Sequence, residues 1–271
     1  MKKILIIASI IILLVGGWLV IRSDRVQGWL ADQKKTDLPQ AESLAESISG
    51  PAVNSAIGHE LNLNAVITED ELPLEKNLAV PFTTQAPHAN WDQDHEEFCE
   101  EASVLMVGRY FQRRVIANAD DAEAALQRIK TWEVDNLGFY YDTTAAETAQ
   151  VVRGLYELNV ELLENPTTAQ LKSILAAGKL VIVPSAGREL GNPNFTAPGP
   201  VYHNLVLRGY TKNDQFITND PGTRKGEQYV YDQDVVMNAI HDWVPSGDRT
   251  KPRQGDVANG RRVVMIVSAA S

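Results

Sequence analysis

His203-Asn204-Leu205-Val206-Leu207-Arg208-Gly209-Tyr210 opens the stretch that decides how this chain folds. Its apolar run reads as a strand. Lys212-Asn213-Asp214 is a turn signal, and Gln215–Asn219 reads as a second strand ending in Asp220-Pro221-Gly222. Two strands joined by so short a turn pair antiparallel. Around this hairpin, Leu180–Pro184 is a continuous apolar run fit for a buried strand. Gln228–Tyr231 and Arg262–Val267 are further strand candidates.

Upstream the periodicity becomes helical. Leu78–Phe82 is a short apolar run. In Cys99–Phe111 the residues Ala102, Leu105, Met106 and Tyr110 recur at helical spacing, and in Asp120–Trp132 so do Ala122, Ala125, Leu126 and Ile129. Thr144-Ala145-Ala146-Glu147 is a capping box before a helix running to about Leu158. Thr167-Thr168-Ala169-Gln170 is another, before a helix that stops at Gly178, and Asp234–Trp243 reads as a short helix. Helices first and strands after predict an α+β fold over residues 76–271, with amino-terminal helices packed on a mostly antiparallel sheet. The sequence has no internal repeat and no glycine-rich phosphate loop.

The chain has 271 residues, with 25 Lys+Arg against 35 Asp+Glu, a net charge of −10 and one cysteine. The negative balance argues against nucleic acid as a partner, since phosphate neutralisation needs a basic face. One cysteine excludes an internal disulfide and a Cys₄ or Cys₃His zinc site. Residues 4–21 are uncharged and apolar after Lys2 and Lys3. As a helix they span roughly 27 Å, close to the hydrocarbon thickness of a bilayer. Trp18-Leu19-Val20-Ile21 offers no small-residue cleavage site, so 1–21 reads as an uncleaved single-pass anchor rather than a cleaved signal. The lysines place the amino terminus in the cytoplasm and the body of the protein outside it. Residues 22–75 hold four basic and ten acidic side chains with Pro39, Pro51 and Pro73, and read as an acidic flexible stalk. A short helical patch is possible around Ala41–Ile48.

Four residues could share a reaction. Cys99 stands at a helix start, where amide dipoles lower a thiol pKa and favour thiolate. His203 begins an apolar strand, a sound position for a base facing that helix start. If the two hairpin strands pair, Asp220 lies near His203 and can orient its ring. Gln85 precedes Cys99 in a loop, and its amide with the Cys99 backbone N–H would suit an oxyanion. From these residues alone an inert buried cysteine, a core histidine and a plain Asp-Pro-Gly turn remain open.

Together the motifs carry more. Val80-Pro81-Phe82-Thr83-Thr84-Gln85-Ala86-Pro87, Trp91 and Cys99-Glu100-Glu101-Ala102-Ser103 resemble the start of a C39-like cysteine peptidase domain of the papain-like superfamily. His203 with Gly209-Tyr210, and then Asn219-Asp220-Pro221, are similar to its histidine and aspartate motifs. The resemblance spans roughly residues 78–268. It implies a papain-like peptidase fold, a nucleophilic Cys99, a base His203, an orienting Asp220 and an oxyanion donor Gln85. It also implies a peptide or protein substrate and no metal or organic cofactor. Many members of the family have glycine where this chain has Glu100. A carboxylate there, and another at Glu101, disfavour a nearby thiolate. A silent peptide- or envelope-binding module and a transglutaminase-like acyl transferase are the competing readings. Gly187–Pro200, rich in Gly, Pro and Asn, is expected to border the cleft as a mobile lid.

Overall fold

The computed structural model describes residues 24–49, 72–245, 249 and 254–270. The apolar run 4–21, expected as an anchor, lies outside them, as does the stalk segment 50–71. Among the described residues no helix is long and apolar enough to cross a membrane. Two compact units divide between Asp37 and Leu38. In the first, the described residues form one helix, α1 (Asp24–Lys34).

The second unit opens with α2 (Leu44–Ser49) and β1 (Lys76–Asn77), followed by α3 (Gln93–Glu97), α4 (Cys99–Phe111), α5 (Ala119–Leu137) and α6 (Ala145–Tyr156). Then come β2 (Asn159–Glu164), α7 (Thr168–Ala176), β3 (Leu180–Ala186), β4 (Tyr202–Thr211), β5 (Gln215–Asn219) and β6 (Tyr229–Asp232). The chain ends through α8 (Gln233–Ala239), α9 (Gln254–Ala258) and β7 (Val263–Ser268). The strands form one sheet in the order β2-β7-β3-β4-β5-β6, with β1 added to β4. Every pairing is antiparallel. The fold is therefore α+β.

Both capping boxes form, Thr144 with Glu147 and Thr167 with Gln170. α5 is longer than its apolar repeat suggests. Asn118 caps its first turn, and it runs on to a left-handed Gly138. The expected helix Asp234–Trp243 stops at Ala239, because Ile240 bridges to Ser185 and the His241 amide donates to the Pro184 carbonyl at 3.1 Å. β2 is a strand the pattern hides. It is an edge strand with half-exposed residues, and its register comes from β7, six residues against six.

Helices α4, α5 and α6 bury Leu105, Met106, Leu126, Ile129 and Val152 with the sheet residues Leu180, Ile182, Val206 and Met265 in one core. α7 packs against β3 and β4, and its Leu171, Ile174 and Leu175 are buried outside that core. Every residue of β3 and β4 is buried, which explains the continuous apolar runs that mark them in the sequence.

The hairpin pairs from Thr211↔Gln215 to Val206↔Asn219, with a bulge between Leu207 and Gly209. The extra residue, Arg208, is buried. Its guanidinium donates to Asn77 Oδ1 at 3.1 Å, the Val80 carbonyl at 3.2 Å and Asn219 Oδ1 at 3.1 Å. Burial pulls its pKa down to about 10, so it stays charged at neutral pH. Gly209 permits this arrangement, since a Cβ there would lie 2.1 Å from the Lys76 carbonyl oxygen. The segment leading to Gln85 and the strand leading to Asp220 are thus tied to one cation. Residues 38–49, expected within the stalk, are also fastened here. Glu42 N donates to Asn77 O at 2.8 Å, Ala79 N to Glu42 O at 2.7 Å, and Lys76 pairs with Glu42. Strand-edge backbone groups need partners, and this segment supplies them.

One feature of the helix layer opposes stability. Glu101 on α4 and Glu133 on α5 are fully buried, and their carboxyls interact with each other. Burial, with charge repulsion between neighbouring carboxyls, raises both pKa values well above the ordinary 4.5. The folded chain therefore keeps protons that the unfolded chain releases above that pH, and stability falls as pH rises past it. Glu133→Gln removes one ionisable partner. Its melting temperature should exceed that of the unaltered chain by several degrees at pH 8, with the gap closing toward pH 5 in a pH series of thermal scans.

Candidate functional site

α3 and α4 nearly abut. Asp92 caps α3 by accepting from the His95 amide, and Phe98 leads directly into Cys99 with no side-chain cap on α4. His95 is buried and bridges Asp92 Oδ1 at 2.6 Å and Glu123 Oε2 at 2.8 Å. Burial opposes protonation of the ring, but the two carboxylates outweigh it and raise its pKa. This bridge fixes the loop before Cys99 against α5.

The Cys99 thiol is buried and donates to Glu100 Oε2 at 2.9 Å. Burial pushes its pKa well above the ordinary 9.0, the Glu100 carboxyl adds to this, and the Asn204 backbone amide offsets part of it. These effects outweigh the helix-start dipole that was expected to lower it. Glu100 is itself buried, and burial with the charges of Glu101 and Asp142 raises its pKa well above 4.5.

His203, near the start of β4, is buried, with Nε2 2.8 Å from Asp220 Oδ1. Asp220 is fully buried, and its carboxylate accepts four hydrogen bonds. Oδ1 takes His203 and the Gly222 amide at 3.0 Å. Oδ2 takes Tyr231 Oη at 2.6 Å and Asn192 Nδ2 at 3.1 Å. Burial raises its pKa, but the His203 charge and these donors win and hold it below the ordinary 3.8. Gly226 closes the turn below as an acceptor: the Asp220 amide donates to the Gly226 carbonyl at 3.0 Å, and a Cβ on Gly226 would lie 1.7 Å from the Asp220 carbonyl oxygen.

Gln85 is buried beside these groups. Its backbone amide donates to Pro221 O at 3.0 Å, and its side-chain Nε2 donates to the carbonyls of His95 at 2.8 Å and Glu96 at 3.1 Å. Both amide hydrogens are thereby engaged by carbonyls of α3, just before Cys99.

A cleft of about 600 Å³ is lined by Gln85, Cys99, Tyr202 and Gly222. Trp91, Glu96, Glu97 and Asp142 form further wall, as do Thr223, Arg224 and Lys225. The Gly187–Pro200 segment contributes Asn194, Phe195, Thr196 and Pro200, so it does border the cleft. Glu97 is pushed up to about 7 by burial and by repulsion from Glu96, so this wall changes charge near neutrality. Sequence reasoning missed Asn192, Tyr231 and the His95 bridge. Only Tyr231 carried a signal, as the last residue of an expected strand. The other two depend on contacts across 28 positions of chain or more. Among the described residues no cluster of His, Cys, Asp and Glu suited to a metal ion occurs.

Residues 77–250 match the model of the Peptidase_C39 like family. Among solved structures, one described as a C39-like peptidase from Bacillus anthracis is similar, at 15% identity over 71% of this chain and 96% of that chain, with a TM-score of 0.44. No curated protein matches the chain.

The Glu100 contact has a measurable consequence. Glu100→Ala removes both the acceptor and the nearby acid, so the thiol should alkylate several-fold faster at pH 7 than in the unaltered chain. Timed iodoacetamide labelling followed by mass spectrometry reads this directly.

Proposed function

The chain belongs to the Peptidase_C39 like family, and from that premise we propose that it is a cysteine peptidase or amidase hydrolysing peptide or isopeptide bonds through Cys99, His203 and Asp220. One observation carries the reading. A buried, four-fold hydrogen-bonded carboxylate accepts from His203 Nε2, beside a cleft whose wall includes the chain's one cysteine. A carboxylate on one ring nitrogen fixes the tautomer and supports a positive ring, which is the requirement for a base that becomes an acid.

In this mechanism the thiol leaves Glu100 and passes its proton to His203 Nδ1. Sγ attacks the carbonyl carbon, and the oxygen takes the negative charge. The Cys99 backbone N–H, and the Gln85 amide once it exchanges an α3 carbonyl for substrate, stabilise that oxyanion. His203 returns the proton to the leaving amine. Water, deprotonated by His203, then hydrolyses the thioester and restores the thiol. Asp220 remains ionised throughout and steadies the imidazolium.

A second reading, a silent peptide-binding module, is favoured by the thiol's bond to Glu100 and its raised pKa. Labelling of Cys99 separates the two. In an active enzyme the labelling rate near neutral pH drops at least tenfold in His203→Ala, and a peptide or isopeptide substrate is cleaved. Slow labelling indifferent to His203, with bound but uncleaved peptide, makes the protein a binding module. Incorporation of amines into glutamine substrates would make it an acyl transferase.

We also place this unit outside the cytoplasm, tethered through residues 4–21, on the strength of their uncharged run after Lys2 and Lys3. After alkaline washing of membranes the full chain should stay in the pellet, and protease added from outside should digest the folded unit. Release into the wash overturns the tether.

A further inference from the structure

Asp220 is held from both of its oxygens, and the two holds differ in origin. Oδ1 faces the imidazole and the Gly222 amide. Oδ2 is gripped by Tyr231, from β6, and by Asn192, from the segment after β3. Asn192 Nδ2 also donates to Tyr231 Oη at 2.8 Å, so the three side chains close a buried triangle. On its other side, Asn192 Oδ1 accepts from the Asn194 backbone amide at 3.0 Å and from Asn194 Nδ2 at 3.1 Å. Asn194 lines the cleft. Its neighbour Phe195 sets its ring edge-on to the His203 imidazole, with centroids 5.2 Å apart. A hydrogen-bonded path therefore runs from the cleft wall through Asn192 and Asp220 to His203.

We propose that Asn192 and Tyr231 are positioning residues, which fix the Asp220 carboxylate for His203 and couple the cleft wall at Asn194 to the orientation of the base. The inference rests on the catalytic roles proposed above for Cys99, His203 and Asp220. A carboxylate has about four lone-pair sites. With two on Oδ2 filled from rigid neighbours, its plane has no freedom to swing away from the ring. Tyr231 suits the task because burial and the adjacent Asp220 charge keep its hydroxyl protonated, hence a donor. Asn192 suits it because one amide donates to the carboxylate while its oxygen holds the wall segment. This makes Gly187–Pro200 a fixed part of the catalytic support at Asn192, rather than a lid hinged freely over it.

The test uses Tyr231→Phe and Asn192→Leu in the full chain: the first removes the hydroxyl donor, the second removes the amide donor together with the acceptor of Asn194, and both keep bulk. Two readings are taken. The first is the downfield proton resonance of the His203 Nε2–H, identified by its loss in His203→Ala. The second is turnover. The resonance should move upfield or broaden in both variants, and kcat should fall roughly tenfold with KM within about twofold of the unaltered value. On an Asp220→Ala background, neither substitution should slow Cys99 labelling further, since both act through that carboxylate. An unmoved resonance in both variants, or losses that add to that of Asp220→Ala, overturns the proposal. The resonance needs no turnover. If His203-independent labelling defeats the peptidase reading, the state of the His203–Asp220 bond in the variants still decides this one.

Discussion

A carboxylate buried without solvent must be surrounded by donors, and Asp220 imposes that demand on the surrounding fold. Its charge costs several kcal/mol to desolvate unless hydrogen bonds replace the water. Four donors answer, from β4, β6, the turn after β5 and the segment after β3. Each must arrive at hydrogen-bond distance. The bulge at Arg208, the glycine at 226 and the hairpin register are the means by which the backbone brings them there. Remove the carboxylate and these features lose their common target.

Arg208 and Asp220 act as complementary interior charges at two levels of the same hairpin. The cation gathers Asn77, Val80 and Asn219, which locates the strand end and the path to Gln85. The anion gathers the imidazole and its supports. Neither is a surface charge transferred inward by accident. Arg208 donates three hydrogen bonds and Asp220 accepts four, as buried charges do when they persist.

The helix side is different. Glu100, Glu101 and Glu133 are buried close together, and their carboxyls interact. Desolvation and repulsion raise their pKa values, and the Cys99 thiol donates to Glu100. Cys99, the proposed nucleophile, stands at the acid-rich start of α4, and His203, the proposed base, is hydrogen-bonded to Asp220. Burial thus disfavours charge on the helix-side carboxyls, while four donors favour it on Asp220. Such opposed environments are how one site runs both protonation states of its groups.

β3 and the first strand of the hairpin, β4, were legible because both are buried on both faces, so their apolar runs are uninterrupted. Helix starts at Thr144 and Thr167 were legible because a capping box is local chemistry. β2 was not, because an edge strand with half-exposed residues owes its form to β7, about a hundred positions away. Cys99, His203, Asp220 and Gln85 could be picked out by residue type and by chain order, properties of sequence alone. The pairing of His203 with Asp220 followed from the expected hairpin, but their other partners could not be read. The sequence by itself determined the α+β class, the hairpin and the residues with chemical potential. Tertiary structure alone decided that the thiol rests on Glu100, that Gln85 is bound to α3, and that Asn192 and Tyr231 grip Asp220. Hydrogen bonds between segments far apart in the chain depend on distances that only packing fixes.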